Sequence, residues 1–190
     1  MMAFQSRSFI KRKKQIGTFV VEFAVMATAL AMVLAFCGDT VIRLSTKGKL
    51  DRLAYSAVTI IKERGALFEG VDFQTTNTAQ FESLTDIVQN SLDRTLGSFS
   101  ADRFGMALEV QTFNADGDPL TLITQQNSQD EGIECVPTTA LDGSLSVVSS
   151  QGQQVSLYRV TVCYQTVNWF GALVGRDYGI VSSNAVSVGR

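Results

Sequence analysis

The chain has no histidine. Imidazole is therefore unavailable as a base or a ligand, which excludes Ser-His-Asp and Cys-His catalysis and zinc sites that use histidine. Proline is nearly as scarce, with two in 190 residues, and 45% of the residues are apolar. Such a composition belongs to neither a disordered nor a collagen-like chain. There is no basic excess, since 16 Lys and Arg stand against 18 Asp and Glu, so nothing in the total points to nucleic acid. No Cys-x-x-Cys pair occurs, and no glycine-rich phosphate loop follows a strand. What is left is a length that suits one domain with its own core. Any enzymology in it would have to rest on carboxylates, Lys, Tyr or a cofactor.

The charge that is present is unevenly placed. Residues 1–17 hold Arg7, Lys11, Arg12, Lys13 and Lys14 and no acid. Subtracting these five from the 16 basic residues leaves 11 against 18 acids from Thr18 onward, a net of −7. Directly after the basic stretch, Thr18 to Gly38 carries a single charge, Glu22. As a helix it would span about 31 Å, matching a bilayer core of about 30 Å. Basic residues before the span and Asp39 after it predict a cytoplasmic N-terminus with the remainder exported. The expected division is a leader at 1–17, a transmembrane segment at 18–40, an amphipathic continuation at 41–70 and a periplasmic α+β domain at 71–190.

Three kinds of export segment compete at this point. A cleaved secretory signal could use Ala29-Leu30-Ala31, but the apolar run continues past it. A lipoprotein signal would use Cys37, but Phe36 stands where a small residue is needed. Cleavage on the cytoplasmic side of the span is the third.

The residues at the junction carry a family resemblance. Lys13-Lys14-Gln15-Ile16-Gly17-Thr18-Phe19-Val20-Val21-Glu22-Phe23 resembles a type IV prepilin junction. The Val-Glu-Phe-Ala core is similar to minor pseudopilins of the tight adherence (Tad) system. Val162-Cys163-Tyr164, Trp169-Phe170-Gly171 and the Ser182 to Arg190 terminus look most like its TadF members. The resemblance implies a prepilin peptidase cutting between Gly17 and Thr18. It also implies a sister minor pseudopilin, a major pilin and an inner-membrane assembly platform as partners, with no cofactor, metal, small-molecule substrate or nucleic acid. The implied fold is a pilin-like lollipop, a long N-terminal helix carrying an α+β head.

An acid inside a membrane span is a functional candidate on physical grounds alone, because an unpaired carboxylate in hydrocarbon costs several kcal/mol. After cleavage the Thr18 amine would lie one helical turn from Glu22, on the same face. Glu22 could pair with that amine or with the amine of the next subunit, and the resemblance implies the latter, with Phe23 beside it. Its alternative is a hydrated place at the interface end of the span.

Beyond the span, Val41, Leu44, Leu50, Leu53, Ala57, Ile60 and Ile61 recur at helical intervals and predict one helix from about Thr18 to Phe68. Asn77-Thr78 can cap a second helix carrying Phe81, Leu84, Ile87, Val88, Leu92 and Leu96, which Gly97 would end. The period then changes. Met106–Phe113 and Leu120–Thr124 flank turn chemistry at Asn114 to Pro119 and predict a hairpin. Ser144–Ser149, Val155–Val167 and Tyr178–Val188 read as strands of an antiparallel sheet packed on one or two helices. The Val155–Val167 strand is apolar on both faces and therefore expected in the centre.

Candidate chemistry in this body is thin. Asn114, Asp116 and Asp118 have the spacing of calcium-loop ligands, but Gly117 comes one place early, so a solvated turn is the better reading. Asp130, Glu131 and Glu134 read as a polar loop, and no residue reads as catalytic. Cys37 is expected free. Cys135 and Cys163 are expected to pair if the domain is exported, with two free buried thiols as the alternative. Trp169 and Phe170 lie in an apolar segment between strands, expected either to tuck over the sheet edge or to form a contact patch for another subunit. Two function classes remain: a minor pseudopilin supporting assembly of a Tad-type adhesive pilus, and a single-span inner-membrane-anchored periplasmic protein or secretion-system pseudopilin of another type.

Overall fold

The computed structural model describes residues 16–67, 78–127 and 132–189. The basic leader up to Gln15, the Asn77 cap and the acids Asp130 and Glu131 lie outside the described residues. Helix α1 spans Ile16–Leu67, 52 residues or about 78 Å. α2 is Thr78–Thr95 and α3 Trp169–Val174. The strands are β1 (Phe104–Gln111), β2 (Ile123–Gln126), β3 (Leu157–Gln165) and β4 (Ile180–Val188). They form one antiparallel sheet in the order β2-β1-β3-β4. The class is α+β, as expected, with β3 at the centre and the helical part of the core supplied by α1 and α2.

Alternation decides which face those helices cover. Phe104, Met106, Leu108 and Val110 of β1 stand opposite Tyr164, Val162, Val160 and Tyr158 of β3 and share one face. Leu50, Ala54, Ala57, Val58 and Ile61 of α1 and Phe81, Leu84, Val88 and Leu92 of α2 complete that core. Charged side chains of α1 fasten its rim. Lys49 Nζ donates to the Thr95 carbonyl at the end of α2 over 2.7 Å, where a cation complements the helix dipole. Lys47 Nζ donates to the Ser182 carbonyl of β4 over 3.1 Å, and the Ser183 hydroxyl bonds the Asp51 carboxylate.

The other face of the sheet is also buried. It carries an ion pair, Arg159 to Glu109, facing each other across β3 and β1. The chain from Ile133 to Cys135 crosses this face at Gly105, where an added Cβ would come within 2.4 Å of the Ile133 carbonyl. A disulfide from Cys135 to Cys163 fixes that crossing to β3, with Cα atoms 5.7 Å apart.

Several boundaries differ from expectation. The hairpin strands are shorter at the turn than expected, β1 ending at Gln111 and β2 starting at Ile123, because the Asn114 turn is wide. The Asn114 side-chain carbonyl accepts the Asp116 and Asp118 amides, Gly117 takes φ +88°, and Phe113 bridges Pro119. Thus the residues with calcium-like spacing form an Asx turn. Ser144–Ser149 is not a strand. Asp142 accepts the Ser144 amide over 2.9 Å and starts a turn of 3-10 helix at Gly143–Leu145, leaving one isolated bridge, Val148 to Gln154. The same bond holds the Asp142 carboxyl below the usual carboxylate range.

Candidate functional site

The N-terminal part of α1 stands clear of the domain: residues 19–34 are exposed throughout. Among the described residues α1 is the one helix long and apolar enough to cross a membrane. Along this helix Thr28 and Thr40 satisfy their hydroxyls locally, on the Ala24 and Phe36 carbonyls, each over 2.8 Å. Gly17 and Thr18 lie in the first turn of α1. Glu22 is exposed one turn further on, with Phe19 and Phe23 stacked at 6.5 Å. Cys37 is free and exposed, as expected.

The bare helix meets the domain at a polar joint. Asp39 is only 3% exposed, and its carboxylate accepts the Trp169 amide over 3.2 Å and the Phe170 amide over 2.7 Å. These are N–H groups in the first turn of α3, left without helical partners of their own. The true N-cap of α3 is Asn168, whose side-chain oxygen accepts the Gly171 amide over 3.2 Å. Arg43, one turn beyond Asp39, donates to that same oxygen over 2.9 Å and lies over the Tyr178 ring at 5.7 Å. The Asn168 amide nitrogen in turn donates to the Arg176 carbonyl over 2.9 Å. Gly171 is required in this knot, because an added Cβ would fall 2.1 Å from Asn168 Oδ1 and 2.3 Å from the Arg176 carbonyl. Phe170 packs edge-on against Phe36 of α1 at 5.3 Å.

Trp169 and Phe170 therefore do not tuck over a sheet edge. They belong to a short helix docked on α1, with Phe170 half-buried and Trp169 largely exposed. Periodicity overlooks Asp39, Arg43 and Asn168. The available signal is Asn168 itself, a cap residue placed immediately before an apolar hexapeptide. Among the described residues no three Cys, Asp or Glu gather as a metal site, and the joint contains hydrogen bonds and ring contacts with no nucleophile–base pair.

Comparison with curated proteins and with solved structures finds no match. The family model of TadF, tight adherence pilin protein F, matches residues 10–190, which covers the end of the basic leader, the span and the whole head. The chain belongs to the TadF family, components of the tight adherence pilus.

Proposed function

We propose that the protein is a minor pseudopilin that supports assembly of a Tad-type adhesive pilus. The observation that carries this is the family match running unbroken through a bare apolar helix and the α+β head it bears. In this reading a prepilin peptidase cuts between Gly17 and Thr18 on the cytoplasmic side of the inner membrane. The helix stays in the bilayer, and the head, stabilised by its disulfide, lies in the periplasm. Glu22, flanked by Phe19 and Phe23, supplies a carboxylate that meets the new amine of a neighbouring subunit, where the hydrocarbon makes an unpaired charge costly. The partners are a sister minor pseudopilin, the major pilin and the inner-membrane assembly platform. The role is association with no turnover, and needs no cofactor.

N-terminal sequencing of the protein recovered from membranes tests the reading. A start at Thr18 is expected. An intact Met1, or a start near Met32, would instead support an anchored protein of another kind.

A further inference from the structure

The anchor fixes the depth at which α3 sits. At about 1.5 Å per residue, a helix entering a core of about 30 Å at Thr18 leaves it near Gly38. α3 docks at that level, with Phe170 on Phe36 and its first amides on Asp39. Phe36 is itself 53% exposed and continuous with the bare surface of α1 below it. The lipid-facing side of the anchor therefore runs without a break onto α3.

What α3 turns outward is apolar: Trp169, Leu173 and Val174 are 56, 60 and 44% exposed, with Tyr178 beside them at 46%. Its backbone donors are already used. Trp169 and Phe170 bond Asp39, Gly171 and Ala172 bond Asn168, and Arg176 bonds the Gly171 carbonyl. An element with apolar side chains outside and satisfied amides inside is one that can enter a region poor in water. Indole and phenol groups favour the level of lipid headgroups, and the exposed Arg176 next to them can reach phosphates from there.

We propose that α3 is a second membrane contact. Trp169, Leu173, Val174 and Tyr178 enter the headgroup–acyl boundary of the leaflet from which α1 emerges, so the head rests on the bilayer at two points. This rests on α1 being membrane-spanning, as in the reading above. A short helix of this kind has too little apolar area to anchor a protein alone. Its contribution is orientation, holding the head at one tilt to the membrane.

Trp169 is the only tryptophan in the chain, so the unmodified protein reports on itself. The full chain is reconstituted in phosphatidylcholine vesicles, and tryptophan emission is followed with lipids brominated near the headgroup end or near the tail end of the acyl chain. The expected result is loss of emission with the shallow bromine, a smaller loss with the deep one, and little quenching by aqueous iodide. Emission indifferent to both lipids overturns the proposal, whether iodide quenches it, meaning solvent, or does not, meaning a protein partner or second copy on α3. The double variant W169F/L30W, its probe about 12 Å below the exit of the helix, separates the two contacts. If its tryptophan is quenched by the deep bromine while Trp169 in the unmodified chain is silent, the second contact alone fails. If neither is quenched, the membrane reading of α1 fails with it.

Discussion

Asp39 and Phe170 are 131 residues apart in the chain, yet the Phe170 amide donates to the Asp39 carboxylate over 2.7 Å. The acid that follows the apolar span thus holds the start of a helix in the far C-terminal part of the head. Replacing Asp39 with Ala strands two part-buried amides and should cost about 1–3 kcal/mol. Asp39→Asn, which keeps one acceptor, should cost less. Denaturant unfolding of the full chain in detergent measures both, and equal stability for all three proteins would show that the Arg43–Asn168 bond and the Phe36 contact hold α3 without it.

Gly171→Ala forces a methyl into the Asn168 side chain and the Arg176 carbonyl. Overpacking of this kind costs about 1–3 kcal/mol. The damage should be local, so amide exchange should quicken across residues 168–179 while the strands stay protected. Uniform acceleration throughout the head would contradict a separable joint.

The Cys135–Cys163 bridge closes a separation of 28 residues, worth roughly 3–4 kcal/mol in the chain-entropy model. The double change to Ser should lower the unfolding free energy by that amount without altering the sheet. Intact-mass measurement under non-reducing conditions should find both thiols oxidised in the protein recovered from cell membranes; free thiols there would refute the bridge.

Arg159 and Glu109 face each other inside the sheet with almost no solvent. Removing one partner leaves a buried unpaired charge, so Glu109→Ala should destabilise by about 3–5 kcal/mol, whereas joint replacement by apolar residues of similar size should be far milder. A double-mutant cycle on unfolding free energies reads the coupling, and additive losses would mean that the two charges are independently solvated.

Glu22→Leu should leave the head as stable as before, since Glu22 is exposed on the bare part of α1. Recovery of the protein with other pilus components should fall sharply while its membrane level holds. Undiminished co-recovery would remove the assembly role proposed for this carboxylate.

How far the fold can be read from sequence depends on the partner each segment finds. The core of α2 and the central position of β3 follow from apolar spacing, because there apolar residues meet other apolar residues. Along α1 the same rule slips where the helix leaves the span. Val41 and Leu44, expected inward, are 66 and 67% exposed, while Asp39 and Thr46 are 3 and 4% exposed. The inward face begins polar because it meets the backbone amides and the Asn168 side chain of the α3 region, and becomes apolar only from Leu50, where it reaches the sheet. Residue type shows what a side chain prefers, and a partner more than a hundred residues away decided the outcome here. Ser144–Ser149 failed for a more local reason, since the Asp142 cap turns the chain before a strand can extend. At the N-terminal part of α1 the position is reversed: the bare apolar helix is legible from sequence alone, because no folded partner overrides it.

α1 is the first element of the chain, and it packs most extensively against β4, the last. Ribosomal order therefore works against this head. The anchor can enter the membrane while the strand that covers its upper half is still unmade, and contacts of such long range are slow to form. Until Ile180–Val188 arrives, the face of Leu50, Ala54 and Val58 can be covered by α2, β1 and β3 only in part. In that interval the nascent protein is most open to premature association.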